Sequence, residues 1–145
     1  EKPEVNIDLP VAIDNEDTLE KWLLFETNNT NLCDQMGITE MKKEYEGTYD
    51  DIYFIAADNV LVVVFRFTAE GFNQSMADAG VAAQLQDYMD TNVTKESCLS
   101  DIVTIYNVSG LYPDIYGFEY QDINGNTLAS IYYTIDEIMS VVQQP

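Results

Sequence analysis

The sequence predicts an α+β fold: an antiparallel sheet built from two β-hairpins, at about 51–67 and 115–134, with helices packed on one face. Three observations lead there. Apolar residues recur with a period of two in both stretches, and each stretch contains a tight-turn dipeptide, Asp58-Asn59 in the first and Asn124-Gly125 in the second. The segments before, between and after them carry apolar residues at helical spacing. No repeat, low-complexity tract or linker interrupts the 145 residues, which read as a single domain (1–145) after a short polar N-terminal segment of about 1–12.

Taken in order, Asp17 and Glu20 have the spacing of a capping box, and the helix they open places Leu19, Trp22, Leu23 and Glu26 on one face. The polar run Asn28 to Asn31 should break that helix, with a second short one over 39–46. Strands of roughly 51–57 and 60–67 follow. Pairing Ala57 with Val60 puts Ile52, Phe54, Ala56, Leu61, Val63 and Phe65 on one face and sets Asp51 opposite Arg66 on the other. That other face also holds Tyr53, Ile55, Val62 and Val64, so something must cover it. Val81, Leu85, Tyr88 and Met89 predict a helix of roughly 75–91. Thr94 is the expected N-cap of the next, with Val93 and Cys98 placed as a hydrophobic staple; Leu99, Ile102, Val103 and Tyr106 should face inward, and Gly110 should end it. A two-residue turn at Asn124-Gly125 pairs Tyr116 with Tyr133, Phe118 with Ile131 and Tyr120 with Ala129, leaving Glu119, Gln121 and Ser130 outward. The stretch 135–144 suits a short terminal helix.

Twenty-six acidic against six basic residues give a net charge of −20, which repels phosphate backbones, so no nucleic-acid partner is expected. No transmembrane segment is expected either, because no apolar run has the length of a span. The chain opens on Glu1 with no basic-then-apolar leader, which permits an exported protein after signal-peptide removal. Cys33 and Cys98 fit neither a C-x-x-C pair nor a zinc ribbon. In an oxidising compartment they are candidates for one disulfide worth about 4 kcal/mol in the chain-entropy model; in cytosol they would be two buried thiols.

Histidine is absent, which removes His-based nucleophile activation, His-ligated catalytic zinc and a His general base from this chain. No phosphate-cradling glycine motif appears, so no catalytic residue, metal ligand or cofactor is assigned. Carboxylate chemistry of the glycosidase type survives, with solvated surface carboxylates the simpler account of the acidic residues. Asp122 to Asn126 resembles the start of an EF-hand loop, but glycine arrives at the fourth position and Tyr133 stands where the bidentate Glu belongs. Asn28, Asn73, Asn92 and Asn107 begin N-x-[ST] sequons, for which an Asn-rich composition is the simpler reading. Of the ten tyrosines, Tyr112, Tyr116, Tyr120, Tyr132 and Tyr133 cluster around the final hairpin and Tyr45, Tyr49 and Tyr53 lead into the first, where sheet packing is the simpler account; a candidate interaction face carries Tyr53, Val62 and Tyr132.

The run Ile52-Tyr-Phe-Ile-Ala-Ala-Asp-Asn-Val-Leu-Val-Val-Val-Phe-Arg-Phe, the helical middle, and Phe118-Glu-Tyr-Gln-Asp-Ile-Asn-Gly-Asn-Thr-Leu-Ala-Ser together resemble a family of secreted or lipid-anchored domains, without assigned function, in Gram-positive gut bacteria. The resemblance covers about residues 50–134 and implies a lipoprotein-like, extracytoplasmic location, but no activity. With the missing catalytic machinery, it leads to the expectation of a non-catalytic extracytoplasmic binding or protein-interaction domain. Its partner would be a protein, a cell-surface ligand or a second copy of the chain. The alternatives are an acidic, immunity-type inhibitor of a basic partner and a carboxylate-based glycan hydrolase.

Overall fold

The computed structural model describes residues 18–143. Asp17 of the expected capping box lies outside them, and Glu20 is engaged elsewhere: its Oε1 accepts the backbone N–H of Asn59 at 3.1 Å. The first helix, α1 (Leu19–Leu23), is capped instead by the Thr18 hydroxyl, which accepts from the N–H of Lys21. Leu19, Trp22 and Leu23 are buried as expected, whereas Glu26 opens a new, exposed helical turn. The expected break at Asn28 to Asn31 does not occur, because α2 (Glu26–Gln35) runs through it. Asn and Thr oppose a helix by only a few tenths of a kcal/mol each. Complete burial of Leu32 and the bond from Asn28 Nδ2 to the Trp22 carbonyl, at 3.0 Å, outweigh that. Gly37 then leads into α3 (Ile38–Glu44).

Strands β1 (Tyr49–Ala57) and β2 (Val60–Phe67) pair in the expected register, Ala57 opposite Val60 and Asp51 opposite Arg66. Asp58 (φ 52°) and Asn59 (φ 58°) are both left-handed, the signature of a type I′ turn. The charge pair across β1 and β2 does not form. Asp51 binds Lys42 of α3 at 3.0 Å, while Arg66 Nη2 donates to the Tyr53 hydroxyl at 2.7 Å.

After β2, the helix expected over 75–91 is two: α4 (Gln74–Asp78) and α5 (Val81–Asn92), separated by Gly80 at φ 78°. Thr94 caps α6 (Lys95–Ser109), with Ser97 returning the bond in a capping box, and Gly110 ends the helix in the left-handed conformation. The buried stripe of α6 is Cys98, Ile102, Ile105 and Ser109; the expected Leu99, Val103 and Tyr106 are only half-buried. Ser109 turns inward because its hydroxyl donates to the Ile105 carbonyl and accepts from Leu111 N, leaving no unsatisfied polar atom.

Strands β3 (Ile115–Gln121) and β4 (Thr127–Thr134) show the three expected pairs, but the turn differs. Ile123, Asn124 and Gly125 form a three-residue loop closed by Asp122 N–H to the Asn126 carbonyl at 3.0 Å, with Gly125 at φ 85°. A register shift beside Tyr120 and Gln121 absorbs the extra residue, so the strands meet as a two-residue turn would have set them. Thr134 and Glu137 form a second capping box that starts α7 (Ile135–Met139), followed by a 3-10 turn, Ser140–Gln143.

The strands order β1-β2-β3-β4, and β2 pairs with β3 in parallel. The two hairpins and the α+β class are as expected, but the sheet is mixed rather than wholly antiparallel. The three helices between the hairpins return the chain to the same end of the sheet, which a parallel crossover requires. Ile52, Leu61, Val63 and Tyr116 of one sheet face join Leu19, Trp22, Leu32, Ile38, Ile102, Ile105 and Ile138 in one hydrophobic core. Val62 and Val64 on the opposite face are buried but lie outside it.

Candidate binding groove

On the helix-bearing face the strands carry a continuous aromatic ladder. Tyr49 of β1 packs on Phe65 and Phe67 of β2 at ring separations of 5.6 and 5.0 Å. Tyr120 of β3 meets the same two rings, each at 5.5 Å, and Phe118 stacks on Phe65 at 6.3 Å. Alternation puts the rings of β2 and β3 on one face, the register shift between Tyr49 and Asp51 turns Tyr49 onto it opposite Phe67, and the pairing of β1, β2 and β3 lines them up across strands.

Tyr49, Phe65, Phe118 and Tyr120 form the floor of a cleft of about 450 Å³. One wall comes from α3 and its C-cap, through Met41 and Tyr45, and the other from α5, through Leu85, Tyr88 and Met89; Val93 at the joint with α6 completes the lining. The spacings i, i+4 and i, i+3, i+4 put each wall's residues on one helical face. Tyr45 (44% exposed) and Tyr88 (56%) remain open to solvent. The volume suits a small organic ligand, and the lining is of the apolar, aromatic kind found in such sites.

Four hydroxyls converge here. Burial pushes the Tyr49 phenol well above its ordinary range, and the neighbouring hydroxyls of Tyr120, Tyr45 and Tyr88 push it further. Burial also raises Tyr120, with Tyr88 and Tyr45 adding to it against a hydrogen bond from Tyr49. Tyr49 and Tyr120 therefore present neutral phenols to the cleft, beside the ring faces of its lining. Its chemistry is recognition by stacking, apolar contact and hydroxyl bonding.

Tyr53, Val62 and Tyr132 lie together on the opposite sheet face, whose cover is its own side chains rather than a core helix. A belt of hydrogen bonds crosses it: Arg66 Nη2 donates to Tyr53 and to Gln121 Oε1 (3.2 Å), Gln121 Nε2 donates to Glu119 (2.6 Å), and the Tyr132 hydroxyl donates to Glu119 (2.9 Å). The Tyr132 ring lies on Gly117, where an added Cβ would collide with Tyr132 Cδ1. Val62 is thereby buried, while Ile55 and Tyr132 are each 42% exposed. Glu119, outward-facing as expected, has both carboxylate oxygens committed to this belt.

Cys33 on α2 and Cys98 on α6 are free thiols on two helices that pack together. The Cys33 thiol donates to Asn29 Oδ1 at 3.5 Å; burial pushes Cys98 up to about 12, so it stays protonated and unreactive while the chain is folded. Asp101 of α6 accepts the hydroxyl of fully buried Tyr116 at 2.7 Å, and burial raises its carboxyl against that bond. In the β3–β4 loop, Asp122 turns inward on its own chain and accepts from Asn124 N, Asn126 N and Asn126 Nδ2. Those bonds hold its carboxyl below the usual range and give it the role of loop closure. Among the described residues no group of three His, Cys, Asp or Glu side chains could hold a metal ion, and no helix is long and apolar enough to cross a membrane.

The groove was not legible as a site. Leu85, Tyr88 and Met89 stood out only as an apolar helical face, and Tyr45 and Tyr49 only as part of a tyrosine-rich run. No local signal states that α3 and α5 stand apart over the aromatic ladder. Compared with family models, curated proteins and solved structures, the chain matches none.

Proposed function

We propose that this chain is a non-catalytic binding domain and that the aromatic groove between α3 and α5 is its ligand site. The observation that carries the reading is an open cleft of about 450 Å³ whose floor and mouth are aromatic. Rings left at an open surface instead of being covered by a helix are the usual mark of a recognition site. The five methionines supply the test, since Met41 and Met89 line the groove while Met76 and Met139 lie elsewhere. In spectra of protein carrying 13C-methyl methionine, a panel of small aromatic and aliphatic compounds is expected to move Met41 and Met89 and leave Met76 and Met139 in place. A panel in which neither groove methyl moves overturns the assignment.

The proposal includes an extracytoplasmic location, supported by the resemblance of the two hairpins to secreted and lipid-anchored domains. Mass analysis after alkylation, on protein from its native host, tests it. Cys33 and Cys98 labelling only after reduction supports an oxidising compartment; free labelling on denaturation alone counts against one. A second reading, neutralisation of a basic partner protein, rests on the net charge of −20. It requires a partner whose capture weakens steeply with salt.

A further inference from the structure

The charge around the groove specifies its ligand more closely. Its lining contains no basic residue. Exposed carboxylates flank both mouth tyrosines in sequence: Glu44 and Glu46 beside Tyr45, and Asp87 beside Tyr88. Of the two lysines on α3, Lys42 is held by Asp51 at 3.0 Å and Lys43 is exposed on the helix surface rather than part of the lining. Over the whole chain the net charge of −20 adds a field that concentrates cations and repels anions.

An aromatic ring attracts a cation to its face by its quadrupole, by about 0.5–1 kcal/mol at exposed sites and about 2 or more when the cation is desolvated, and several rings around one cation form a cage. Among the described residues this contact is already present, with the Arg66 guanidinium 5.3 Å from the centre of the Tyr53 ring on the opposite face. In the groove the rings have no cation of the chain's own above them among the lining residues. We propose that the groove binds a small organic cation: a substituted ammonium head held among Tyr45, Tyr49, Tyr88 and Tyr120, on an apolar body lying along Phe65 and Phe118. This rests on the groove being the ligand site and adds the chemical class of the ligand.

Three probes share one body and differ in the charge of the head: 3-phenylpropyl-trimethylammonium, 3-phenylpropanol and 3-phenylpropionate. Each is titrated into the whole chain while the Met41 and Met89 methyl resonances are followed. The ammonium compound is expected to bind at least tenfold more tightly than the alcohol, with the carboxylate weakest and the preference shrinking as salt rises. Tyr45→Leu with Tyr88→Leu should remove the cation's advantage and leave the alcohol's affinity nearly unchanged. Tyr45→Phe with Tyr88→Phe, which keeps both ring faces, should preserve it. Equal binding of cation and alcohol at the groove methyls overturns the cation assignment while leaving the groove as a ligand site. If none of the three moves Met41 or Met89, the cation assignment falls, and the wider compound panel decides whether the groove itself survives.

Discussion

Burial decides what the individual polar groups do. Asp101 projects from α6 with its carboxyl raised by burial, and the Tyr116 hydroxyl is its stabilising donor. A carboxyl raised in the folded state contributes stability that is present below its unfolded pKa and is lost as pH rises through the folded value. Ionised Asp101 is therefore a net burden at neutral pH. Asp101→Asn keeps an acceptor for Tyr116 and removes the charge, so its melting temperature at pH 7 should equal or exceed the parent's, with the difference closing as pH falls through the carboxylate range. Tyr116→Phe should destabilise by about 1–3 kcal/mol in urea titrations, because a buried carboxyl loses its hydrogen-bond donor. A Tyr116→Phe protein as stable as the parent would show that water replaces the hydroxyl. The sequon asparagines follow the same logic: Asn28, Asn73 and Asn92 give their side chains to backbone groups at helix ends, at 2.9–3.0 Å. That use was legible only as Asn-rich composition, since a cap is defined by where the helix ends.

At the scale of elements, one side chain ties α5 to the edge of β4. Gln86 Nε2 donates to the Ser130 carbonyl at 2.8 Å, and Ser130 N donates back to Gln86 Oε1 at 3.1 Å. The amide thus imitates a neighbouring strand on the outer edge of β4, satisfying backbone groups that an open edge would leave available for pairing with another chain. It also fixes the helix that carries Leu85, Tyr88 and Met89 into the groove. Gln86→Leu should cost about 1–3 kcal/mol and speed exchange of the Ser130 amide, with the Met89 resonance shifting as α5 loosens. An unchanged Ser130 exchange rate would mean the edge is held by other contacts. Elements with caps or turn dipeptides were readable in advance: Thr94 and Gly110 bracket α6, and Asp58-Asn59 fixes the register of β1 on β2. The failures came where tertiary contact overrode local preference, as in α2, or where Gly80 split a continuous apolar pattern into α4 and α5.

For the molecule as a whole, 26 acidic residues against six basic ones mean that folding compresses like charges. Screening shortens from about 30 Å at 0.01 M to about 8 Å at 0.15 M ionic strength. The melting temperature should accordingly rise by several degrees over that range; a flat response would show that the carboxylates stand far enough apart for repulsion to be unimportant. The sequence alone settled the net charge, the absence of histidine chemistry, and the two hairpins with their facing residues, because these follow from residue type, a period of two and the turn dipeptides. The parallel meeting of β2 with β3 was decided only in three dimensions, since a long helical connection is compatible with either strand direction until the helices dock. The groove shares that origin. Its rings come from α3, three strands and α5, and what makes them a site is the space left between two helices, a property of packing that no single segment contains.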